Sequence, residues 1–313
     1  MTGDRPLLGI FLMLLFCLIA PIGDAIAKLL GQAVPLGQLL LVRFALQALV
    51  LVPVVWWIGG RWWGTPRLMG LILIRTFLHI TGIGAMFMAL RYLPLADAVA
   101  IAFVMPFLML LLGKYVLDEE VGIRRILACL VGFIGTLMVI QPSFAEVGLP
   151  ALLPLVVAVV FSLFMLVTRQ IAKAIDPVSL QAVSGTMATV MLVPAVAIGP
   201  SMGWVELTMV PVNLTVTGLL IAIGLLGTLA HLVMTWALKY APSATLAPMQ
   251  YLEIPFATAV GWLVFGDLPN GLAAIGICVT MAAGLYVVFR ERATSRAAAS
   301  VPQPPVVAPP AAE

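Results

Sequence analysis

The feature that most constrains this chain is a succession of ten apolar stretches, each close to twenty residues, separated by short breaks of charge, Pro and Gly. A helix needs about 20 predominantly apolar residues to cross about 30 Å of hydrocarbon. The stretches fall at 8–27, 36–58, 68–90, 95–115, 122–140, 148–168, 178–199, 214–238, 243–265 and 270–289. Ten spans occupy roughly 220 residues, leaving short connections and no room for a soluble domain. Backbone polar groups in lipid must be satisfied internally, which selects helices. The expected fold class is therefore an all-α integral membrane protein with ten transmembrane helices. Composition agrees: 63% of the 313 residues are hydrophobic and 9% are charged, against about half and about one quarter in soluble domains. A soluble globule, a disordered chain and a disulfide-rich module are excluded, and a net charge of +3 gives no footing for nucleic acid. Cys17, Cys129 and Cys278 lie inside apolar runs without paired spacing, so they read as small buried hydrophobes. Ala25-Ile26-Ala27 mimics a signal-peptide cleavage site. The weak n-region and the length of the apolar run argue that this segment is instead the first span.

Lys and Arg orient the chain. With a cytoplasmic N-terminus, thirteen fall on the inner side, among them Arg5, Arg61, Arg67, Lys114, Arg124, Arg169 and Lys239. Lys28, Arg43 and Arg91 fall on the outer side. The outer connections after spans five, seven and nine carry Glu146, Glu206 and Asp267 but no Lys or Arg. Both termini are expected in the cytoplasm and the protein in the cell (inner) membrane. Residues 292–313, rich in Ala, Pro and Val, read as a disordered cytoplasmic tail.

The chain also repeats itself. Ala-Leu-Arg-Tyr-Leu-Pro at 89–94 returns as Ala-Leu-Lys-Tyr-Ala-Pro at 237–242. Pro106 then matches Pro255, Asp118 matches Asp267, and Gly135 matches Gly284. Upstream, Arg75-Thr-Phe-Leu-His79 matches Gly227-Thr-Leu-Ala-His231. The repeat covers five spans, an odd number, so the second copy must lie inverted in the bilayer. Inverted repeats that frame a site near the midplane are the architecture of secondary transporters.

These residues resemble a known family. Arg91-Tyr-Leu-Pro-Leu-Ala-Asp-Ala-Val-Ala-Ile, Pro106, Asp118-Glu-Glu, Arg124-Arg125 and Gly132-Phe-Ile-Gly135 resemble the first EamA repeat of the drug/metabolite transporter superfamily. Trp236-Ala-Leu-Lys-Tyr-Ala-Pro, Glu253-Ile-Pro255 and Gly266-Asp267 resemble the second. The resemblance places one repeat at 8–141 (spans one to five) and the other at 148–290 (spans six to ten). It implies two inverted five-helix repeats around a central cavity, with a site formed mainly by spans one, three, four, six, eight and nine. Leu268-Pro269 stands where the first copy has Glu119-Glu120, so that loop need not act alike in both halves.

Ionisable residues at membrane depth are costly and point to function. Glu253, between Tyr251 and Pro255 with no cation within one turn, is the strongest candidate, as a proton carrier or a ligand for a substrate amine. Asp24 and Lys28, four residues apart, share a helical face. They read either as an interfacial ion pair or, for Asp24, as a substrate or proton ligand, with Pro21 and Gly23 loosening the helix. Arg75 reads as snorkelling to the inner interface or as a site residue. His79 and its counterpart His231 read as hydrogen-bonded neutral imidazoles or as relay and substrate contacts. Arg43 reads as snorkelling outward, and Asp97 as a partner of Arg91. Trp236, Gln250 and Tyr251 offer polar edges and flat faces to a substrate. Phe87, Met88, Phe103, Met105, Phe161 and Phe164 either pack or line the same cavity. Trp56, Trp57, Trp62 and Trp63 read as an interfacial belt. Gly132, Gly135, Ala283 and Gly284 read as points of close helix approach and a homodimer face.

The expected function is secondary active transport of a small metabolite, amino-acid-like, zwitterionic or amphipathic, by alternating access. Export or exchange, with a proton or a counter-substrate as driver, is the leading form. Uptake of a cofactor-like solute such as riboflavin or S-adenosylmethionine is the alternative, and a channel or scaffold a remote one. An enzyme is not expected: there is no His-Glu-x-x-His, no catalytic set and no metal set. No cofactor is implied, and the absence of a Gly-x-x-x-x-Gly-Lys-Ser/Thr loop removes direct use of ATP.

Overall fold

A computed structural model describes residues 5–118, 122–139 and 148–266, together with 271–289 apart from 273, 280, 284, 287 and 288. The expectations concerning Glu119, Glu120, Glu146, Asp267, Gly284 and the tail at 292–313 lie outside the described residues.

The helices are α1 (Pro6–Leu30), α2 (Leu36–Trp57), α3 (Pro66–Ala89), α4 (Leu95–Ala102), α5 (Met105–Val116) and α6 (Ile123–Val139) in the first half. The second half contains α7 (Leu153–Ile171), α8 (Pro177–Ile198), α9 (Leu214–Tyr240), α10 (Ser243–Gln250), α11 (Glu253–Phe265) and the shorter apolar helix α12 (Ala274–Ala283). Among the described residues, seven helical stretches are long and apolar enough to cross a bilayer: α1, α2, α3, α4 with α5, α7, α8 and α9. The other three expected spans correspond to the shorter α6, the interrupted pair α10 and α11, and α12.

Helix starts follow local chemistry. Pro6, Pro66 and Pro177 sit in the first turn, where no N–H is needed. Thr65 accepts a hydrogen bond from the Leu68 amide at 3.3 Å, Asp176 from Val178 at 2.9 Å, and Asn213 from Val216 at 2.9 Å. Gly266, with φ at +75°, ends α11 in the left-handed conformation that favours glycine. Spans four and nine, read from the sequence as continuous, are broken at Phe103–Val104 and Tyr251–Leu252. Each break lies just before a proline of the repeat, Pro106 or Pro255, which cannot donate to the preceding turn. Pro21, by contrast, leaves α1 continuous through Leu30.

The packing carries a two-fold pattern. α1 packs on α9 as α7 packs on α3; α2 on α9 as α8 on α3; and α5 on α7 as α11 on α1. The half-helices cross in the same way, α4 against α11 and α10 against α5, while α2 and α8 pack directly on each other. Every one of these contacts maps onto another, or onto itself, when the halves are exchanged. The loops sort onto two faces. On one, Arg91 donates to both carboxylate oxygens of Glu206, at 2.9 and 2.8 Å, and to the carbonyl of Val34 at 3.0 Å. Gln38 pairs with the backbone of Val210 on this same side. On the other face, the Arg5 amide donates to the Tyr240 carbonyl at 2.7 Å and Arg169 to the Leu238 carbonyl at 2.6 Å. Glu206, rather than Asp97, is therefore the acid that pairs with Arg91.

Trp56, Trp57 and Trp63 are exposed at the end of α2 and beyond it, whereas Trp62 packs inward against the cluster of Leu51, Val55 and Ala182. Gly132 serves an internal contact, because the ring of Tyr251 lies against it.

A charged cavity above a histidine pair

A cavity of about 90 Å³ lies between the halves. It draws on α1, α2, α3, α4, α7, α9, the α4–α5 break and the starts of α5 and α11. Each span contributes from its middle or from its half nearer the 31–35 face. The six spans implied by the family resemblance are all represented, and α2 is an addition. The floor and walls are largely apolar, formed by residues such as Phe16, Ile83, Phe87, Phe103 and Phe161. Four polar side chains converge on it: Asp24, Arg43, His231 and Glu253.

Asp24 does not pair with Lys28. The lysine donates to the Leu93 carbonyl at 3.0 Å, and its ammonium lies 4.9 Å from the Phe265 ring centroid. Asp24 turns into the cavity, where it interacts electrostatically with Arg43 and with Glu253. Arg43 does not snorkel. It is 2% exposed, stacks over Phe44 with its guanidinium carbon 4.8 Å from the centroid, and leaves Nη1 without a hydrogen-bond partner among the described residues. Gly227 makes room for it: a Cβ there would lie 2.8 Å from Nε. Glu253 opens α11 beside the Tyr251–Leu252 break, where the freed backbone of an interrupted helix is confined to protein and cavity.

Below the cavity, toward the opposite face, the two repeat-related histidines meet. Their ring centroids are 4.2 Å apart. Phe164 stacks on His79 at 4.6 Å, and Phe44 meets it edge-on at 5.0 Å. Neither ring nitrogen of His79, nor Nδ1 of His231, has a hydrogen-bond partner among the described residues. The expectation of hydrogen-bonded imidazoles therefore fails for His79, which is held by rings alone. Beneath this pair lies Arg75, fully buried rather than snorkelling. It donates through Nε to Thr168 and through Nη1 to Ser184, both at 2.8 Å, and stacks 4.5 Å from the Phe164 centroid.

Of the residues singled out in the sequence, Asp24, Phe103, His231 and Glu253 line the cavity, as do Phe87, Met105 and Phe161. His79, Phe164 and Arg75 form the layer beneath. Gln250 points at sulfur, reaching Met165 at 3.1 Å, and Tyr251 is buried between Gly132 and Phe103. Trp236 is half-buried and away from the cavity; Met88 also lies outside it. A polar string escaped notice: Gln47 donates to Gln181 at 3.0 Å, and Gln181 donates to Thr235 and to the His231 carbonyl, both at 2.8 Å. Its trace in the sequence is Gln47 and Gln181, each inside an apolar span.

The arrangement can hold a solute carrying both charges: carboxylates at Asp24 and Glu253, a guanidinium at Arg43, and aromatic faces for an apolar body. Comparison with known proteins identifies the family. The profile of the EamA-like transporter family matches residues 7–141 and again 148–290. A riboflavin transporter of Vibrio cholerae is 26% identical over 295 residues, spanning 93% of this chain and 96% of its own. An S-adenosylmethionine uptake transporter of Rickettsia bellii is 23% identical, spanning 91% and 94%. The pseudopaline exporter CntI of Pseudomonas aeruginosa is 25% identical, spanning 92% and 96%. A protein known by crystal structure matches 92% of this chain and 98% of its own with a TM-score of 0.68. At 19% identity that likeness concerns the fold alone.

Proposed function

The chain belongs to the EamA-like transporter family, and from that premise we propose that this small-solute transporter is a secondary active carrier working by alternating access. Its substrate is a zwitterionic or amphipathic metabolite, moved by export or exchange and driven by a proton or a counter-substrate. The observation that carries the reading is the cavity between two symmetry-related halves, polar at Asp24, Arg43, His231 and Glu253 and packed shut beneath the histidine pair. The excess of Lys and Arg in the loops of the Arg5 face supports a cytoplasmic position for that face, and on that orientation the cavity belongs to the outward side of the cycle. Its volume of about 90 Å³ lies below the roughly 300–1,000 Å³ of ordinary ligand pockets, so binding requires the halves to part. Glu253, a carboxylate at the mouth of a broken helix, is the proposed coupling or amine-binding residue.

One alternative has specific support. The phenylalanines around the cavity suit a flat ring system, and relatives over most of the chain carry riboflavin or S-adenosylmethionine. On that reading the protein takes up a cofactor-like solute.

The test is reconstitution into proteoliposomes with an imposed pH gradient or a preloaded counter-substrate. The panel comprises labelled riboflavin, S-adenosylmethionine and zwitterionic amino acids. Accumulation of one solute above its equilibrium level supports a carrier, and the solute chooses between the two readings. Equilibration without accumulation marks a channel. Failure to accumulate any member under either driving force removes the carrier reading.

A further inference from the structure

Arg43 and Arg75 occupy the same contact on opposite sides of the two-fold. In the internal repeat Arg75 corresponds to Gly227, Thr76 to Thr228 and His79 to His231. The structure treats these positions alike. Thr76 and Thr228 each donate to the carbonyl four residues back, at 2.8 and 2.7 Å, and the two histidines touch. Exchange of the halves also carries α2 into α8 and α3 into α9. The contact of Arg43 on α2 with Gly227 on α9 therefore maps onto a contact between a residue of α8 and Arg75 on α3. That contact exists: Ser184 of α8 accepts from Arg75 at 2.8 Å. On each side a guanidinium fills the space left by a small residue, with the roles of the two helices swapped. Each also stacks over a phenylalanine, Phe44 for Arg43 and Phe164 for Arg75.

The two cations are in different states. Arg43 faces the cavity with Nη1 unpartnered; Arg75 is sealed, with Nη2 unpartnered. Neither forms a salt bridge among the described residues. Arg75 has no carboxylate beside it among the described residues, and Arg43 has its electrostatic interaction with Asp24 but no direct ion pair; cations so lightly compensated at membrane depth are expensive, and packing alone would be better served by an apolar side chain. Two such cations, both carried by the first repeat but set on either side of the paired histidines, are explained if each is used in one state of the cycle.

We propose that Arg43 and Arg75 are alternately exposed ligands for one anionic group of the substrate, a carboxylate or a phosphate. Arg43 presents itself to the 31–35 face. Arg75 does so to the opposite face, once α3 parts from Thr168 of α7 and Ser184 of α8. This rests on alternating access as proposed above and adds a second anion subsite, centred on Arg75, in the half that is closed here.

The test places a single cysteine either beside Arg75, as Ser184→Cys, or in the cavity that Arg43 lines, as Ile83→Cys. The background replaces Cys17, Cys129 and Cys278 by Ala. Thr168→Cys is a second reporter for Arg75 should Ser184→Cys fold poorly. Membrane-impermeant thiosulfonates of opposite charge, one a sulfonate and one a quaternary ammonium, are applied to right-side-out and inside-out vesicles. The expected result is that Ser184→Cys reacts only from the Arg5 face, and several-fold faster with the sulfonate. Adding Arg75→Gln should remove that charge preference. Labelling from the Arg5 face with no preference for the anion, or with a preference unchanged by Arg75→Gln, overturns the anion subsite while leaving alternating access standing. Absence of labelling at both Ser184→Cys and Thr168→Cys from the Arg5 face, while Ile83→Cys reacts from the other, overturns alternating access itself.

Discussion

Replacing Gly227 by Ala separates the folding of this transporter from the placement of its cavity cation. A methyl at Gly227 would lie 2.8 Å from Nε of Arg43 and 3.0 Å from Nη2, where ordinary contact begins near 3.4 Å. The guanidinium must therefore retreat by about 0.6 Å, the difference between 3.4 and 2.8 Å. The obstacle is the far end of a flexible side chain rather than backbone, so the helices need not move. Within a helix the Gly→Ala change itself contributes about 0.5–1 kcal/mol of stability. Thermal stability in detergent should hold or rise. Binding should weaken by the value of one charge-assisted hydrogen bond, about 1.5–3 kcal/mol, which is roughly a ten- to hundred-fold increase in KM. The assay is initial-rate transport in proteoliposomes, using the solute that the panel identifies, alongside a thermal unfolding scan. In an Arg43→Gln background the same Gly227→Ala change should add nothing, since no guanidinium remains to displace. An unchanged KM in the single variant, or an equal loss in both backgrounds, refutes the placement of Arg43 in the site.

Glu253→Gln should abolish or uncouple transport while expression and folding persist; normal transport with an unaltered dependence on the pH gradient removes Glu253 from the mechanism. Gly132→Ala should lower thermal stability by about 1–3 kcal/mol, because its methyl would lie 2.7 Å from Cδ2 of the fully buried Tyr251. A scan showing no loss contradicts that packing. Arg91→Gln breaks a bridge whose partner Glu206 is 47% exposed, so unfolding should shift by no more than about 1 kcal/mol. A larger drop would mean that the rim holds the halves together. Reporters fused after Arg296 and in the loop near Arg124 should both register cytoplasm, and a signal from the opposite side at either one reverses the orientation.

Much of the architecture is legible in the sequence because a bilayer imposes length and polarity on every span. The matches of Arg75-Thr-Phe-Leu-His79 with Gly227-Thr-Leu-Ala-His231, and of Pro106 with Pro255, anticipate the two-fold pattern of contacts. Less legible is which helical face meets lipid and which meets protein. Arg43 and Arg75 look free to snorkel because a single helix always offers that route. They are buried because α9 supplies a glycine beside one, and α7 and α8 supply hydroxyls beside the other. Spans four and nine read as continuous because hydropathy does not register a break of two residues. Pro106 and Pro255 are the signal that marks it. Lys28 and Asp24 share a face as their spacing implies, yet neighbouring chain draws them apart: the Leu93 carbonyl takes the ammonium and the cavity takes the carboxylate.

Distances between spin labels on the two faces test the reciprocal opening of the halves most directly. One pair joins Tyr92 and Met202 on the 31–35 side, and the other joins Arg61 and Ala174 on the opposite side; all four positions are exposed. Alternating access predicts two populations in each pair. The transported solute should shift them in opposite senses, one face closing as the other opens. A single distance on each face that ignores the solute, or two faces that widen together, would contradict it.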